Sequence, residues 1–456
     1  MTELTYPETV TIEPLTSRPD ATITIPGSKS LTNRALILAA LAEGDSTLRG
    51  ALTSEDTRVM IESLQRLGFA VEADEAEATF HIVGQGGRIP ARRADLFLAN
   101  SGTSIRFLTA LTALGHGSYR LDGVNRMRQR PQKELLDALT ELGVSAVSER
   151  GDGCPPLRVE AVHGLPGGVI HLNAEASSQF LTALLMVAPY AAADVTIEIA
   201  GSLRPFYVEI TRQMMAQWGV QSDYQPETRI PEPSLPLALN QPYAVRPLTY
   251  HVAAGQRYAP QKEYRIEPDA SSASYFFAAA AVTGGRVMVP GLGPNALQGD
   301  VRFATEVLAE MGCVVTHDSQ GLSVVGPPEG RLHGIDRDMS GISDTSLTLA
   351  AIAPFADSPT TVRNIAHTRL QECDRIAAVC TELTRLGVQV DERPDGFTVY
   401  PARELTPCTI QTYGDHRVAM SFALVGLMTP GIKIAEPGCV AKTFPDFWQR
   451  LALLRA

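Results

Sequence analysis

The sequence predicts an α/β protein of two domains, each built from three repeated α/β units. A short polar turn opens an apolar helix six times, an amphipathic helix and an alternating strand follow, and successive turns lie about 70–75 residues apart with one longer interval. A period of this length indicates repeated supersecondary units that are larger than solenoid repeats. The six openings are Gly27-Ser28-Lys29-Ser30, Asn100-Ser101-Gly102-Thr103, Ala176-Ser177-Ser178-Gln179, Asp269-Ala270-Ser271-Ser272, Ser343-Asp344-Thr345-Ser346 and Gly414-Asp415-His416-Arg417.

The first opening combines a helix start with positive charge. An alternating strand, 21–25, precedes the turn Pro26–Arg34, and an apolar helix, 35–41, follows it. Lys29 and Arg34 therefore lie at a helix N-terminus, where free backbone N–H groups and the helix dipole stabilise an anion. The turn is predicted to bind a phosphate or carboxylate. The alternative is a helix cap with two solvent-exposed cations.

A second pattern trails the openings. An amphipathic helix ends in Leu-Gly or its equivalent, and a strand of period two comes next. Glycine suits the left-handed residue that ends many helices. The copies of this pattern are 61–69, 135–144, 214–220, 307–314, 383–390 and, for its helix, 447–454.

The long interval between the third and fourth openings suggests where the domains divide. It contains an insertion near 226–247 that is rich in proline and lacks periodicity, as expected of a loop near a domain boundary. We expect the boundary near 257–267. A second crossing of the chain near Pro26 would place the first strand with the C-terminal half, and the residues alone leave that crossing open.

Composition excludes several functional classes. The chain has 456 residues, 44% of them hydrophobic, and a net charge of −11, so a general nucleic-acid or acidic-membrane surface is not expected. Its six cysteines form no paired or metal-binding spacing, which is typical of reduced thiols in the cytoplasm. The N-terminus is unlike a signal peptide, and no apolar stretch is long enough to span a bilayer.

Cations recur at or near the helix openings. Because arginine binds carboxylates and phosphates in a bidentate manner, their recurrence predicts a site for substrates with several negative charges. For each arginine taken alone, a solvated surface charge is the alternative. The cations are Lys29, Arg34, Arg106, Arg126, Arg128, Arg130, Arg369, Arg375, His416, Arg417 and Lys442.

Four carboxylates stand beside these cations. For Asp344, at the fifth opening, the structural alternative is a helix cap, and for Glu372, within the segment Arg369–Arg375, it is an ion pair. Asp56 and Asp415 are expected to orient arginine side chains. The chain lacks a Walker A loop, a GxGxxG opening in its first unit and the HExxH and GxSxG motifs, which disfavours nucleotide-binding, metalloprotease and serine-hydrolase functions.

The openings in this order resemble the 5-enolpyruvylshikimate-3-phosphate (EPSP) synthase family, and the resemblance covers essentially the whole chain. The matching segments include Gly27–Arg34, Arg126–Pro131 and Ala441–Asp446. The resemblance implies the two-domain enolpyruvyl transferase fold, with three βαβαββ repeats and buried parallel helices in each domain and a cleft between the domains. It places residues 1–26 and 267–456 in domain I, which holds both termini, and residues 27–266 in domain II.

The family's reaction transfers the enolpyruvyl group of phosphoenolpyruvate to the 5-hydroxyl of shikimate 3-phosphate and releases phosphate. No metal or organic cofactor, nucleic acid or membrane is implied, and a monomer is the family default. The resemblance makes Asp344 the base and Glu372 the acid, assisted by Lys29. It implies phosphoenolpyruvate contacts from Lys29, Gly102, Arg130, Gln179, Arg375, Arg417 and Lys442. It implies shikimate 3-phosphate contacts from Lys29, Ser30, Arg34, Ser177, Ser178, Gln179, Arg204, Asp344, His367 and Gln371.

The departures from the family pattern lie mostly on the acceptor side. Gln371 stands where the family usually has lysine, and His367 where asparagine is common. Arg204 lies near a usual serine, so we hypothesise that it supplies the positive charge that Gln371 lacks. The alternatives are a paralogue acting on another phosphorylated polyol and an anion-binding scaffold without catalysis. UDP-N-acetylglucosamine enolpyruvyltransferase fits worse, because Ser30 stands where it carries asparagine.

Inhibition by glyphosate, which competes with phosphoenolpyruvate in this family, is also expected. Gly102 leaves room that a larger residue would remove. Phe107 occupies a position that is often proline, so the degree of sensitivity is open.

Overall fold

The apolar sequences that follow the polar openings form buried helices. The computed structural model describes residues 6–175, 177–201, 203, 205–231 and 243–455. Its α-helices are α1 Lys29–Leu41, α2 Glu55–Arg66, α3 Gly102–Thr112, α4 Lys133–Glu141, α5 Gln179–Val187, α6 Pro205–Gln217, α7 Ala270–Thr283, α8 Ser346–Ile352, α9 Arg375–Arg385, α10 His416–Met428 and α11 Phe447–Ala452.

Short strands separate the helices. The first twelve are β1 Thr9–Thr11, β2 Asp20–Thr22, β3 Glu43–Arg49, β4 Ala70–Asp74, β5 Thr79–Gln85, β6 Arg93–Phe97, β7 Gly117–Asp122, β8 Ser145–Ser148, β9 Leu157–Ala161, β10 Gly168–Asn173, β11 Val195–Ala200 and β12 Asp223–Gln225. They are followed by β13 Thr228–Pro231, β14 Tyr243–Arg246, β15 Leu248–Val252, β16 Tyr264–Arg265, β17 Arg286–Pro290, β18 Val314–His317, β19 Gly321–Val325, β20 Asp336–Asp338, β21 Thr360–Arg363, β22 Val390–Arg393, β23 Gly396–Val399, β24 Thr409–Ile410 and β25 Lys433–Ala435.

The described chain divides into two compact units. The first comprises Met1–Thr32, Arg49–Arg58 and Arg265–Ala456, and the second comprises Asn33–Leu48 and Val59–Tyr264. Helix α1 begins in the first unit and continues in the second. Residues 27–32, 49–58 and 265–266, which were expected in the second domain, fall in the first unit of this division.

Repeated sheets form the framework of the second unit. In the sheet β6-β7-β9-β8, β6 and β7 run parallel around α3, and β8 and β9 form an antiparallel pair after α4. The sheet β10-β11-β15-β12 has the same arrangement around α5 and α6. A third sheet has the order β16-β3-β5-β4. This pattern is the predicted βαβαββ repeat.

The first unit uses strands from distant parts of the chain. Strand β2 runs parallel to β17 in the sheet β18-β19-β17-β2, and β1 runs antiparallel to β25 in the sheet β1-β25-β24. The sheet β20-β21-β23-β22 repeats the βαβαββ order around α8 and α9. The N-terminal strands therefore complete sheets whose other strands lie in the C-terminal half of the chain.

Local signals in the sequence explain how the helices begin and end. The Asp269 carboxylate accepts a hydrogen bond of 2.7 Å from the Ser272 backbone N–H and caps α7, whose residues are buried from Ala270 to Val282. Gly143 and Gly387 follow α4 and α9 with φ values of 83° and 81°. A residue with a Cβ is strained in this region, so both glycines end their helices as predicted.

The segment Pro26–Ser28 pairs with Glu267–Asp269 inside the first unit. The Ser28 N–H donates to the Glu267 carbonyl at 2.8 Å, and the Asp269 N–H donates to the Pro26 carbonyl at 2.9 Å. A Cβ atom on Gly27 would lie 1.8 Å from the Gly50 carbonyl oxygen. Only glycine fits where these backbones meet.

Part of the predicted insertion at 226–247 lies outside the described residues, namely 232–242. The strands on either side of it, β13 and β14, form an antiparallel pair. Among the helices of the described residues, none is both long and apolar enough to cross a membrane.

Candidate active site

Arg375, the first residue of α9, joins three carboxylates in the first unit. Its Nε atom lies 2.8 Å from Asp415 Oδ2, its Nη2 atom 3.0 Å from Glu372 Oε2, and its Nη1 atom 3.2 Å from Asp344 Oδ1. Nη1 also donates to Gln371 Oε1. The Arg375 side chain is only 2% exposed, so these contacts form in a desolvated setting, where charge-assisted hydrogen bonds are strong.

Two of these carboxylates each contact a second cation in addition to Arg375. Asp344 Oδ2 lies 2.7 Å from Arg417 Nη2, and Glu372 Oε1 lies 2.8 Å from Lys442 Nζ. Asp344 retains 24% exposure, which leaves it accessible to a bound hydroxyl. Burial raises its pKa, but the neighbouring cations, Arg417 first, outweigh burial and hold the pKa of Asp344 below its ordinary value. Asp344 is therefore ionised at neutral pH.

The structure decides between the two interpretations of Asp344. Asp344 lies in a 3₁₀-helical turn, Ser340–Thr345, and the residue that precedes α8 is Thr345, whose side chain makes no capping hydrogen bond. Asp344 thus faces cations instead of capping a helix. Asp415 has a double role, because it caps α10 through the Arg417 N–H at 2.8 Å and also holds Arg375.

Lys29 is held by two acidic residues of the first unit. Its ammonium nitrogen lies 3.1 Å from Asp56 Oδ2, and its backbone N–H donates to Asp269 Oδ2 at 3.3 Å. The positive charge of Lys29 contributes to lowering the pKa of Asp344. Asp56 therefore helps to orient Lys29. Ser30 follows Lys29 within the first turn of α1.

Three further residues of the first unit lie beside this cluster. His367 Nε2 is 2.9 Å from Ser343 Oγ, next to Asp344, and Gln371 contacts Arg375. His416 is 1% exposed. Burial first, and then the charges of Arg417 and Lys29, lower the pKa of His416 well below its ordinary value. His416 is therefore neutral at pH 7.

The second unit contains a separate group of predicted binding residues, beginning with Arg130 and Gly102. The Arg130 Nη1 atom donates to the Asn100 carbonyl at 3.1 Å, and the side chain is buried. Gly102 is the first residue of α3, which Ser101 caps through the Ser104 N–H. The Arg130 guanidinium occupies the space beside Gly102 that a side chain would fill.

Gln179 connects the starts of α3 and α5. Its Oε1 atom accepts a hydrogen bond of 2.7 Å from Arg106 Nη1, and its Nε2 atom lies 3.5 Å from Thr103 Oγ1. The Gln179 N–H donates to Ser177 Oγ at 3.2 Å, and Ser178 directly precedes the helix. The third opening is thus joined to the second through polar side chains.

Arg34 is anchored inside the second unit. Its Nε atom donates to Thr211 Oγ1 at 2.8 Å, its Nη2 atom donates to the Tyr207 carbonyl at 3.1 Å, and its guanidinium lies 5.5 Å from the centre of the Phe107 ring. Burial lowers the pKa of Arg34 to about 10, so it stays charged at neutral pH. The predicted residue Arg204 lies outside the described residues.

Sequence reasoning missed several residues that support these groups. Asp269 holds the Lys29 backbone, Asn100 anchors Arg130, and Asp300 is a buried carboxyl whose pKa responds to Asp344. The position of Asp269 directly before an apolar helix was the available signal. Nothing in the local sequence marks Asp300. Within the described ranges, no group of three or more His, Cys, Asp or Glu residues is arranged to hold a metal ion.

Comparison with known proteins identifies related sequences over nearly the whole chain. A family model described as EPSP synthase (3-phosphoshikimate 1-carboxyvinyltransferase) matches residues 15–236 and 243–451. A 3-phosphoshikimate 1-carboxyvinyltransferase of Nostoc punctiforme is 48% identical over 444 residues, covering 97% of this chain and 98% of that protein. The chloroplastic enzyme of that name from Arabidopsis thaliana is 43% identical over 442 residues, covering 94% of this chain and 81% of that protein.

Solved structures with low sequence identity share the fold. An EPSP synthase from Acinetobacter baumannii has a TM-score of 0.76 at 23% identity and covers 97% of both chains. The enolpyruvyl transferase NikO from Streptomyces tendae has a TM-score of 0.69 at 18% identity, covering 98% of this chain and 97% of that one. The predicted fold class is confirmed. Because the family model spans almost all of the sequence, the chain belongs to the EPSP synthase (3-phosphoshikimate 1-carboxyvinyltransferase) family.

Proposed function

We propose that this protein transfers the enolpyruvyl group of phosphoenolpyruvate to the 5-hydroxyl of shikimate 3-phosphate, which yields 5-enolpyruvylshikimate 3-phosphate and phosphate. This is the 3-phosphoshikimate 1-carboxyvinyltransferase reaction of the shikimate pathway to chorismate and the aromatic amino acids. The observation that carries the proposal is the 48% identity to an enzyme of that name over 97% of the chain. The charged cluster around Arg375 supports it with chemistry suited to an addition and elimination.

The proposed phosphoenolpyruvate contacts are mostly cations. Lys29, Arg375, Arg417 and Lys442 supply cations in the first unit, and Gly102, Arg130 and Gln179 contribute from the second. The carboxylates of Asp344 and Glu372 now occupy three of these cations. The phosphate and carboxylate of the substrate would compete with them, because arginine and lysine bind all of these anions.

The proposed acceptor contacts are mainly polar. Lys29, Ser30, Arg34, Ser177, Ser178, Gln179, Arg204, Asp344, His367 and Gln371 make up this set. Arg34 has two of its nitrogens engaged by Thr211 and Tyr207, so its position is defined before substrate binds. We propose that Arg204 supplies the charge that Gln371 lacks. In that case, Arg204→Ala raises the KM for shikimate 3-phosphate far more than the KM for phosphoenolpyruvate; equal effects would remove the idea.

In the proposed addition, Glu372 donates a proton to the methylene carbon of phosphoenolpyruvate while the 5-hydroxyl oxygen attacks the neighbouring carbon. Lys29 assists Glu372, and Asp344 takes the hydroxyl proton. Elimination then breaks the bond to phosphate, and Glu372 recovers a proton from the methyl group so that the alkene forms again. Concerted help from an acid and a base lowers the barrier to such an addition. Cations placed beforehand stabilise the charge that develops.

Asp344 is ionised at neutral pH, so its carboxylate is in the form that can accept the hydroxyl proton. Glu372 must be protonated when it acts as the acid, although Arg375 and Lys442 favour its charged form. We propose that substrate anions neutralise these two cations on binding. Glu372 can then hold a proton at lower cost.

The function can be tested by measuring phosphate release from phosphoenolpyruvate with and without shikimate 3-phosphate. We expect release only when both substrates are present, together with 5-enolpyruvylshikimate 3-phosphate as the second product. Phosphate release only with another phosphorylated polyol would instead indicate the paralogous function. The family comparisons do not favour that alternative.

We further propose that the protein is a cytoplasmic monomer with domains at 1–26 plus 267–456 and at 27–266. The cysteine pattern and the family resemblance support this proposal. Light scattering on a sizing column tests the monomer, since a mass of twice 49.0 kDa would contradict it.

A further inference from the structure

A buried carboxylate outside the proposed reaction holds the segment that leads into α10. The Glu382 side chain on α9 is fully buried, and Arg385 Nη1 donates to its Oε2 atom at 2.6 Å. The Gln411 backbone N–H donates to the same oxygen at 3.1 Å, and the Tyr413 hydroxyl donates to Oε1 at 2.8 Å. Because a buried carboxylate is costly without partners, Glu382 favours the arrangement that keeps all three hydrogen bonds.

The segment that Glu382 holds has an unfavourable backbone conformation. Tyr413 has a φ of 55° and Gly414 a φ of 67°, and the Asp415 N–H donates to the Thr412 carbonyl at 2.9 Å to close the turn. A residue with a Cβ rarely adopts the left-handed region unless its surroundings hold it there. The Tyr413 hydroxyl bond to Glu382 is such a restraint.

This turn determines where Asp415 lies. Asp415 is fully buried, and it must at once accept the Arg417 N–H at the start of α10 and hold Arg375 Nε at 2.8 Å. Arg375 and Glu382 both belong to α9, two helical turns apart. Helix α9 therefore contacts the segment Gln411–Asp415 at two points. Glu382 binds Gln411 and Tyr413, and Arg375 binds Asp415 in the charged cluster.

We infer that Glu382 and Tyr413 are positioning residues, which hold the Gln411–Asp415 turn so that Asp415 keeps Arg375 aligned for phosphoenolpyruvate. The inference rests on the proposed function for the identity of the ligand. Neither residue touches the substrate in this account. Both act through Asp415 and Arg375, and so they should affect phosphoenolpyruvate more than the acceptor.

The decisive variant is Tyr413→Phe, which removes one hydroxyl and keeps the ring. Tyr400→Phe is a matched control, because the Tyr400 hydroxyl also donates to a carboxylate, Asp391, at 2.8 Å, but on the sheet of β22 and β23. We expect Tyr413→Phe to raise the KM and the calorimetric Kd for phosphoenolpyruvate about tenfold, as for loss of a hydrogen bond to a charged group. The KM of Tyr413→Phe for shikimate 3-phosphate should stay within about twofold of that of the unsubstituted protein. The KM and Kd of Tyr400→Phe for phosphoenolpyruvate should also stay within about twofold.

Glu382→Gln provides a second test, because it keeps the size of the side chain and removes the charge. We expect a loss of phosphoenolpyruvate affinity at least as large as that of Tyr413→Phe; if the Glu382 variant does not fold, the Tyr413 variant decides. The inference is wrong if Tyr413→Phe matches Tyr400→Phe, or if the affinities for both substrates fall together. Direct calorimetry tests the inference separately from the proposed function, because it measures phosphoenolpyruvate binding without turnover. A protein that binds phosphoenolpyruvate but does not use shikimate 3-phosphate would contradict the proposed function and leave the inference about Glu382 and Tyr413 standing.

Discussion

Arg130 lies so close to Gly102 that a Cβ atom at position 102 would be 2.3 Å from Arg130 Nη2. Arg130 is also tied to the Asn100 carbonyl. The guanidinium can make room for a methyl group only by weakening that hydrogen bond. Because Gly102 has no side chain, the Arg130 guanidinium, which is a proposed contact of phosphoenolpyruvate, can lie close to the start of α3.

Gly102→Ala should therefore weaken donor binding without unfolding the protein. We expect the KM for phosphoenolpyruvate to rise about tenfold, because Arg130 must move from its anchored position. Gly293→Ala is the control, since a Cβ atom there would have no neighbour within 4 Å. A Gly102 variant with an unchanged KM would contradict the proposed role of this contact.

Glyphosate should compete with phosphoenolpyruvate in the unsubstituted protein. The alanine methyl group at position 102 would take space from the inhibitor, so we expect Gly102→Ala to raise the inhibition constant more than the KM. Initial rates at several phosphoenolpyruvate concentrations measure both quantities. Inhibition that is independent of phosphoenolpyruvate would rule out a shared site.

Asp344→Asn should separate catalysis from binding. Loss of the base is expected to lower kcat by about 100- to 10,000-fold. The affinity for phosphoenolpyruvate should not fall, because the substitution also removes a carboxylate that competes for Arg375 and Arg417. Product assays measure kcat, and calorimetry measures the affinity for phosphoenolpyruvate. Asp336→Asn, which breaks an exposed ion pair of 2.6 Å with Arg363, should leave both unchanged.

Asp300 should make stability depend on pH in the opposite direction from most carboxyls. Burial, and then the charge of Asp344, raise the pKa of Asp300 to about 7. The unfolded chain releases this proton near pH 4. The stabilising contribution of Asp300 is therefore complete below about pH 4 and is lost as the pH rises towards 7.

The side chain of Asp300→Asn stays neutral at all of these pH values. The free energy of unfolding of the variant minus that of the unsubstituted protein should therefore increase by about 2 kcal/mol or more between pH 4.5 and pH 7.5. Urea unfolding at several pH values measures the difference. Asp338→Asn should show no such increase over this range, because a carboxyl with a lowered pKa is ionised in both the folded and the unfolded state at these pH values; its slope, of the opposite sign, lies below about pH 4. Burial raises the pKa of Asp338, but hydrogen bonds from Ser340 and Asn364 outweigh burial and hold it below its ordinary value. Parallel curves for the two variants would contradict the assignment.

Arg34→Lys should cost both stability and acceptor affinity. Lysine has one nitrogen and cannot reproduce the fork that joins Thr211 Oγ1 and the Tyr207 carbonyl, so about 1–3 kcal/mol of unfolding free energy should be lost. The KM for shikimate 3-phosphate should rise more than that for phosphoenolpyruvate. Arg337→Lys, at a partly exposed cation beside Glu306, serves as the control for both measurements. A similar change in the two variants would argue against a special role for Arg34.

Much of the fold was predictable because its signals are local. The polar openings at Ser101 and Asp269 cap helices, and Gly143 and Gly387 end them. Boundaries were less accurate: the strand expected at 21–25 is Asp20–Thr22, and the helix expected to begin at 307 begins earlier, with a π-helical segment at Phe303–Leu308. Packing and backbone hydrogen bonding decide such ends, and they depend on residues far away in the chain.

The repeated α/β pattern, the cations at helix starts and the family could all be inferred from the amino-acid sequence, because they depend on residue types and spacings within one repeat. The ion-pair partners became known only from the folded chain: Arg375 meets Asp415 across 40 residues, and Lys442 meets Glu372 across 70. The folded chain also shows that Asp344 faces two arginines instead of capping α8. The physical reason is that an ion pair forms where folding brings two charges within a few ångströms, and helix periodicity carries no information about which repeats will meet.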